Sequence, residues 1–355
     1  MVAPNSNREA GAQGAPRDPI ADVERIAFLL EAASEPTYRV RAFRSAARLI
    51  ARMTPAEREA RQRGGTWQEL PGIGEVLART IEESLRGEEP VYLRRLEATG
   101  GQAFEEGAAA ICQALRGDCH VHSDWSDGGS PILEMAEAAR GLGHAYMVLT
   151  DHSPRLKVAN GLTPERLNQQ LAEVAALNVQ VAPFRILTGI EVDINPDGSL
   201  DQQPDLLSQL DVVVGSVHSE LRMEGRLMTR RLVAALANPH LDILGHMTGR
   251  MVTGNRRRPP STFDAEIVFA AAKRFDKAVE INSRPERLDP PKRILRLAVE
   301  AGCSFAIDSD GHAPGQLTWL PNGCDRAFRC GVAIGSVVNA LEADDLLAWA
   351  GSHEA

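Results

Sequence analysis

The second part of the chain, from Gly117 onward, alternates short β-rich runs with amphipathic helices, and this alternation constrains the fold more than any other feature. Strands are predicted at 118–122, 146–150, 185–191, 211–217, 242–246, 278–282 and 304–308. Helices are predicted between them, at 131–141, 163–178, 228–237, 264–275 and 291–301. Strands that alternate with helices pair in parallel, which gives an α/β architecture. Seven such units predict a closed or nearly closed barrel.

Most of the histidines stand at or just after the end of a predicted strand, and carboxylates accompany them. The residues with this placement are His120, His122, Asp127, His152, Glu191, His218, His246, Asp310 and His312. In α/β barrels the C-terminal ends of the strands converge on one face, and that face carries the chemistry. We therefore expect these side chains to meet, although they are spread over residues 120 to 312.

The combination of imidazole and carboxylate groups predicts a metal site. Such a ligand set suits Zn, Mn or Fe, whereas Ca and Mg prefer sites made of oxygen atoms. His120 and His122 lie on the same side of a strand because side chains alternate with period two, and Asp310 and His312 repeat this spacing. Nine ligands exceed the needs of one ion, so two or three divalent metal ions are expected.

A single histidine at a strand end is usually no more than a polar residue near a loop. Six histidines at equivalent places are better explained by a metal site. The other histidines are expected to lie outside this site, with His144 before a strand, His240 in a loop and His353 in the C-terminal tail.

Several stretches of this region resemble the polymerase and histidinol phosphatase (PHP) family, in order and over about 200 residues. They are GDCHVHSDWSDG, VLTDHS, GIEVDI, VVGSVHS, DILGHMTGR, VEINSRPERLD and AIDSDGH. The resemblance implies a distorted seven-stranded (β/α) barrel, a trinuclear metal site and phosphoester hydrolysis. All nine positions carry the residue type that the family uses there, so a degenerate, non-catalytic barrel is not expected.

Phosphoester hydrolysis agrees with the chemistry of the residues. Clustered metals lower the pKa of a bound water and neutralise charge on phosphoryl oxygens, so no protein nucleophile is required. Three basic side chains near the predicted strand ends are candidates for holding the phosphate: Lys157, Arg250 and Arg284. For each of them, ordinary solvated surface charge is an equally good interpretation.

The first part of the chain contains PTYRVRAFRSAARLI followed by LPGIGEVLARTIEESL. Helices are predicted at 19–33, 38–53 and 57–63, and from the LPGIG turn to Leu85. Region 18–97 resembles the N-terminal domain of the DNA polymerase X family, and its second stretch is a helix-hairpin-helix signature. Gly72 and Gly74 would let the backbone approach a phosphate, which the amides of the turn and the following helix N-terminus then bind.

An arginine-rich helix precedes this hairpin. Arg41, Arg44, Arg48 and Arg52 recur at spacings of three and four residues, which places them in one basic stripe. Such a stripe is often only a solvated face. Beside the hairpin it favours contact with a DNA backbone, despite the net charge of −9 for the whole chain.

These features predict five segments. They are a disordered tail at 1–17, a helix-hairpin-helix domain at 18–97, a linker at 98–116, a PHP barrel at 117–340, and a C-terminal helix and tail at 341–355. In bacterial family X polymerases a nucleotidyltransferase palm lies between the two resembling domains. The stretch from Glu97 to Gly117 is too short for a palm and lacks paired aspartates, so we expect no primer extension.

Composition limits the cellular setting. The five cysteines form no C-x-x-C pair and are odd in number, which favours reduced thiols over a disulfide framework. The sequence has no apolar run of the roughly 18 residues that a membrane span needs, and its first residues do not look like a signal peptide. A cytoplasmic protein is expected.

Three functional hypotheses remain open at this point. The first is a hydrolase that acts on DNA ends, of the 3′–5′ exonuclease or 3′-phosphatase type, and it accounts for both domains. The second is a small-molecule phosphatase, with histidinol phosphate as the family's example, and it leaves the hairpin unexplained. The third is a DNA-binding scaffold with a structural barrel, against which the complete ligand set argues.

Overall fold

The computed structural model describes residues 17–99, 105–253 and 257–354. These residues form two compact units, which comprise 17–99 and the described residues from 105 onward. The tail predicted at 1–17 lies outside the described residues, apart from Arg17. Within the described ranges, every helix is too short or too polar to cross a lipid bilayer.

The first unit is helical. Its helices are α1 (Pro19–Ala32), α2 (Thr37–Ala51), α3 (Pro55–Gly64), α4 (Glu75–Leu85) and α5 (Val91–Thr99). Side chains cap the N-termini of two of these helices. Asp18 accepts a hydrogen bond from the Ile20 amide, and Thr54 forms a capping box with Glu57. The apolar faces of α1, α2 and α4 enclose fully buried Trp67. The four predicted helices of this region are confirmed.

The second unit is an α/β barrel. It contains α6 (Glu106–Ala114), β1 (Gly117–Val121), α7 (Ile132–Gly141), β2 (Tyr146–Leu149), α8 (Pro164–Val181), β3 (Arg185–Asp193), α9 (Pro204–Leu207), β4 (Val212–Ser216), α10 (Gly225–Leu236), β5 (Ile243–Leu244), α11 (Ala265–Arg274), β6 (Ala278–Asn282), α12 (Lys292–Ala301), β7 (Ser304–Asp308), α13 (Leu320–Cys330) and α14 (Ala343–Gly351). The seven strands are parallel and neighbour one another in chain order, as predicted. Strand β5 is shorter than predicted, because only two of its residues pair on both sides.

The seam between β7 and β1 is where the barrel departs from regularity. A single β-bridge joins Val121 to Gly311. Elsewhere along the seam, side-chain hydrogen bonds take the place of backbone pairing between the two strands. Asp308 accepts a hydrogen bond from the Cys119 amide at 2.9 Å, and Asp118 accepts one from the Ser309 amide at 3.2 Å. Burial raises the pKa of Asp118 to about 6 and raises that of Asp308 well above its usual value. The barrel is therefore nearly closed, with buried carboxylates as part of its seam.

The segments that flank the strands close the other end of the barrel. The C-terminal helix α14 buries Leu346 and Ala350 against residues at the starts of the strands, including Tyr146 and Val212. Helix α6 packs on α13 and buries Ile111, so the linker predicted at 98–116 is too long at its C-terminal side. A stretch with its own apolar contacts to the barrel belongs to the barrel unit.

Candidate metal centre

The nine predicted ligands lie at the C-terminal ends of the strands. His120 is in β1 and Glu191 in β3, while the other seven follow the strands directly or lie in the loops after them: His122, Asp127, His152, His218, His246, Asp310 and His312. Most of them are buried, and only Asp127, His218 and His312 reach the surface. The parallel topology thus brings together residues that are far apart in the chain.

Glu191 lies at the centre of this cluster. Its carboxylate oxygens approach five imidazole rings, at 3.4 Å from His120 Nε2, 3.6 Å from His122 Nε2, 2.9 Å from His152 Nδ1, 3.3 Å from His218 Nε2 and 2.8 Å from His246 Nε2. The side chain is almost fully buried, so solvent does not shield these charges. One carboxylate surrounded in this way is a candidate ligand for a divalent cation.

A second group of ligands lies at the opening of the cluster. The Asp127 carboxylate is 3.4 Å from His152 Nε2 and 3.4 Å from His312 Nε2, and 37% of this side chain is exposed. The rings of His122 and His312 stack at a centroid distance of 4.1 Å. This group therefore connects the buried cluster around Glu191 to solvent.

The donor atoms fit a set of divalent cations. They form three overlapping groups whose ligand atoms lie within 4.8 Å of one another: His122, Asp127, His152 and His312; His120, His122 and Glu191; His152, Glu191 and His218. Several of these atoms are buried without a hydrogen-bond partner, including both nitrogens of His122, His218 and His246 and both oxygens of Glu191. Buried polar atoms are costly when unpaired, and binding a metal would satisfy them.

The electrostatics of the site differ from one ligand to another. Burial opposes protonation of His120 and His218, but Glu191 outweighs it and raises the pKa of both rings, that of His218 to about 9. Burial and the neighbouring histidines lower the pKa of His122 well below its usual value, so its ring is neutral and offers a lone pair. Burial opposes ionisation of Glu191, but the surrounding imidazoles outweigh it and hold its pKa well below the usual range. Arg284 and Arg287 do the same for Asp310.

Two carboxylates that the sequence analysis did not identify orient the histidines. Glu280 Oε1 lies 2.6 Å from His120 Nδ1, and the same side chain accepts a hydrogen bond from the His246 amide. Asp193 Oδ1 accepts a hydrogen bond from the His218 amide at 3.1 Å and lies 3.6 Å from His218 Nδ1. Both carboxylates are buried, and partners of this kind fix the ring orientation of metal-binding histidines. A charged residue inside the apolar strand run AVEIN was the signal for Glu280.

The three predicted phosphate contacts have different surroundings. Arg284 is in the site, with Nη1 3.5 Å from Asp310 Oδ1 and 3.4 Å from His312 Nδ1. The prediction that Arg250 contacts the phosphate is corrected by the structure. Its guanidinium donates to the backbone carbonyls of Arg287 and Leu288 and so supports a loop. Lys157 is on an exposed turn after β2.

One positively charged side chain of the site was missed by the sequence analysis. Arg287 Nε lies 3.0 Å from Asp310 Oδ2, on the side chain of a predicted ligand. The sequence places Arg287 in the loop after β6, among the charged residues of SRPERLD, and nothing in that run distinguishes it from a surface arginine. Arg284 and Arg287 therefore form a basic pair beside the ligands, where the sequence had indicated only the first.

The residues predicted to bind DNA lie in the first unit. Gly72 has a φ of +82°, a conformation that favours glycine, and Gly74 precedes α4 as its N-cap residue. Arg41 and Arg48 are exposed on α2. The prediction that Arg44 belongs to the DNA-binding stripe is corrected by the structure, because its guanidinium forms two hydrogen bonds with Glu31, at 3.0 Å and 2.9 Å. The exposed part of the predicted stripe therefore excludes Arg44.

Comparisons with known proteins match both parts of the chain. A family model described as "PHP domain" matches residues 118–284, and one described as "Helix-hairpin-helix domain" matches residues 17–90. The chain is 41% identical over 235 residues to the DNA polymerase/3′-5′ exonuclease PolX of Bacillus subtilis (strain 168). That match covers 66% of this chain and 41% of the relative, so the chain spans about two fifths of that protein's length.

Two further matches are a curated relative and a solved structure. A protein named "Probable phosphatase" from Thermoanaerobacter sp. (strain X514) is 31% identical over 206 residues, which are 55% of this chain and 78% of the relative. The crystal structure of histidinol phosphate phosphatase from Lactococcus lactis has a TM-score of 0.45 and 17% sequence identity, and covers 62% of this chain and 95% of that one. The identity to a relative that the chain covers over most of its length shows that the chain belongs to the PHP-domain family.

Proposed function

We propose that the chain is a metal-dependent phosphoesterase that acts on DNA ends, as a 3′–5′ exonuclease or a 3′-phosphatase. The observation that carries this proposal is the presence, in one chain, of a histidine and carboxylate cluster and a helix-hairpin-helix unit. The cluster accounts for phosphoester chemistry, and the hairpin unit accounts for a nucleic-acid substrate. The PolX relative, which its name describes as a polymerase and 3′-5′ exonuclease, supports the same combination.

The nine clustered residues would hold two or three divalent metal ions, of Mn, Zn or Fe. We assign as ligands His120, His122, Asp127, His152, Glu191, His218, His246, Asp310 and His312. When bound, such ions supply a hydroxide at neutral pH and stabilise charge on phosphoryl oxygens. Glu280 and Asp193 hold His120 and His218 in the orientations that the ligand set needs.

The basic pair beside the ligands would position the substrate. Arg284 and Arg287 flank Asp310, and they carry positive charge into a site whose carboxylates are ionised. A guanidinium binds two phosphate oxygens at once, which fixes the orientation of a phosphoryl group. Lys157, on its exposed turn, is a further phosphate contact of this proposal.

The hairpin would bind the DNA backbone. Gly72 and Gly74 leave open space where a side chain would stand, so a phosphate is able to approach the amides at the start of α4. Arg41 and Arg48 are the exposed arginines on α2 that add a sequence-independent attraction. Such contacts position a strand without reading its sequence.

The same proposal has three consequences for the whole chain. The chain is divided into a hairpin domain at 18–97 and a barrel domain whose strands begin at Gly117, with α6 before them and α14 after them as parts of the barrel unit. The protein hydrolyses DNA ends but does not extend a primer, since no palm stands between the domains. It works in the cytoplasm, where free thiols such as those of its five cysteines are ordinarily kept reduced.

One assay tests this function. Full-length protein with Mn²⁺ is incubated with 3′-labelled single-stranded and gapped DNA and, in parallel, with histidinol phosphate. We expect loss of the 3′ label or shortening of the DNA, and we expect His120→Ala to abolish it. His144→Ala is the matched control, because His144 lies outside the cluster.

A small-molecule phosphatase is the second candidate. The match with a relative named "Probable phosphatase" covers 78% of that relative and 55% of this chain, which favours a substrate that part of this chain is able to recognise. Turnover of histidinol phosphate without any change in DNA would establish this candidate and overturn the first. DNA binding without turnover of either substrate would leave the scaffold hypothesis standing.

A further inference from the structure

Two of the five free cysteines face each other across a helix pair of the barrel unit. Cys112 is on α6 and Cys324 is on α13, and their Sγ atoms lie 2.6 Å apart. Their positions differ by 212 residues in the chain, so the fold itself brings them together. A sulfur separation this small puts the two thiols close enough to be joined in a disulfide, whose bond length is about 2.05 Å.

Contacts on either side of the cysteine pair hold α6 close to α13. Glu105 forms an ion pair with Arg329 at 2.9 Å. Gly107 lies against the ring of Phe328 so closely that an added Cβ would stand 2.0 Å from it. A side chain at that position would have to displace the Phe328 ring, so the glycine permits the close approach of the two helices.

We propose that Cys112 and Cys324 are a reversible modification site, at which oxidation forms a disulfide that fastens α6 to α13. The other three cysteines have different surroundings. Cys119 is buried in β1, Cys303 Sγ lies 3.6 Å from the Phe269 carbonyl oxygen, and Cys330 Sγ lies 3.8 Å from the Lys292 carbonyl oxygen. Among the described residues, only the helix pair brings two thiols together in this way.

The reaction has a definite order because the two thiols differ in access. Cys112 is partly exposed, whereas Cys324 is fully buried. The contact with Cys324 lowers the pKa of Cys112, and the same contact together with burial raises the pKa of Cys324. Cys112 is thus the thiol that an oxidant in solution reaches first, and it is the better nucleophile.

A small disulfide such as oxidised glutathione is the oxidant that the proposal requires. The Cys112 thiolate attacks one of its sulfurs, a mixed disulfide forms, and one glutathione thiolate leaves. Cys324 then loses its proton and attacks the Cys112 sulfur, and the second glutathione thiolate leaves. Both protein thiols are oxidised, the two glutathione sulfurs are reduced, and the two protons end on the released glutathione molecules.

The cross-link acts on a helix that supports the loop after β6. Asn322 on α13 donates a hydrogen bond to the Ser283 carbonyl at 3.2 Å, and Arg326 donates one to the Pro290 carbonyl. Because the disulfide closes a long loop, it restricts the unfolded chain and stabilises the barrel. We expect oxidation to raise the melting temperature by about 5 °C.

The test uses the full-length protein, treated with oxidised glutathione and then alkylated under denaturing conditions. Peptide mapping by mass spectrometry is expected to find a Cys112–Cys324 cross-link that dithiothreitol removes. Cys324→Ser is expected to trap glutathione on Cys112, because the second thiol is missing, and Cys112→Ser is expected to abolish both products. Cys330→Ser is the matched control, and the cross-link should persist in it.

Two outcomes would overturn the proposal. One is the recovery of Cys112 and Cys324 as free thiols after oxidation. The other is a cross-link that involves a different pair, or one that survives in Cys112→Ser. If Cys324→Ser does not fold, the comparison between the unsubstituted protein and Cys112→Ser still decides the matter.

Discussion

The side chain of Glu191 shows how much of the site depends on single residues. It is a carboxylate in the third strand, and four histidines that lower its pKa come from the first, second, fourth and fifth strands or the loops that follow them. Its two oxygens have no hydrogen-bond partner, which is a costly state for a buried charge. Divalent cations bound between these groups would satisfy both oxygens.

Glu280→Gln tests the support of this cluster. The amide keeps the size of the side chain but removes the charge that holds His120 Nδ1 at 2.6 Å. We expect metal affinity to fall about 10- to 100-fold, with activity recovered at higher metal concentration. Glu173→Gln, at an exposed position on α8, is the control. Metal titration of both variants makes the measurement, and equal affinities would show that Glu280 has no orienting role.

His144 gives a dependence of stability on pH that is separate from the metal site. Burial lowers the pKa of this partly buried ring to about 4, compared with about 6.5 in an unfolded chain. Between these values the unfolded chain takes up a proton that the folded protein does not. The free energy of unfolding therefore decreases as pH falls from about 6.5 towards 4, and is unaffected above that range.

His144→Gln removes this contribution. We expect the loss of stability between about pH 7.5 and pH 5 to be smaller in the variant by up to about 2 kcal/mol. Urea unfolding of the barrel at the two pH values measures it. A variant that loses as much stability as the unsubstituted protein would contradict the effect of burial at this position.

Residue patterns predicted the ligands better than their surroundings. The positions at strand ends and the His-x-His spacing predicted that His120, His122 and the other candidate ligands would lie together, because period-two geometry and barrel topology depend on local sequence. Glu280 and Arg287 were missed, since their roles arise only from contacts across the barrel. The prediction for Arg44 was wrong for the same reason, because helical spacing does not show that Glu31 of the preceding helix lies opposite the Arg44 side chain.

At the scale of the elements, the turn before α4 is the place where the first unit is proposed to bind a phosphate. Gly72 has a φ of +82°, and Gly74 begins the helix with exposed amides. The left-handed conformation costs other residues roughly 1 kcal/mol, which explains a glycine at that point of the turn. The sequence predicted this turn because Leu-Pro-Gly-Ile-Gly has few other conformations available.

Gly72→Ala and Gly87→Ala separate binding from stability. Both glycines have positive φ, at +82° and +78°, and both have open space around them, so alanine should cost each variant about 1 kcal/mol. Only Gly72 is in the hairpin, so only Gly72→Ala is expected to weaken binding to single-stranded DNA. Fluorescence anisotropy gives the affinities and thermal unfolding gives the stabilities. Equal DNA affinity in the two variants would remove the hairpin from the binding site.

The strands and helices of the barrel were predictable because each is a short apolar run bounded by turn residues. The irregular parts were not. Strand β5 has two paired residues where five were predicted, and the seam between β7 and β1 relies on Asp118, Asp308 and the Val121–Gly311 bridge. These features depend on pairs of residues far apart in the chain, which local patterns do not contain.

At the scale of the whole molecule, the two units have separate hydrophobic cores. Each core is made of residues from its own part of the chain. The proposed function assigns DNA binding to one of these units and hydrolysis to the other. The hairpin unit supplies exposed arginines and turn amides, and the barrel supplies the ligand cluster. Substrate capture and hydrolysis are then expected to be separable.

Removal of residues 1–100 tests this separation. The barrel without the hairpin unit is expected to bind DNA more weakly and with a flatter dependence on salt, since fewer phosphate contacts remain. Hydrolysis of a small phosphodiester is expected to stay within about twofold of the full chain. Affinity measured over a series of salt concentrations decides the point, and an unchanged salt dependence would refute the role given to the hairpin.

The central claim is that the cluster around Glu191 binds catalytic metal ions, and elemental analysis of bound metal tests it most directly. The full-length protein and Glu191→Gln are purified side by side, and metal equivalents per chain are measured in each. We predict about two to three equivalents in the unsubstituted protein and the loss of at least about one in the variant, because the shared carboxylate no longer carries charge. The same metal content in both proteins would contradict the account.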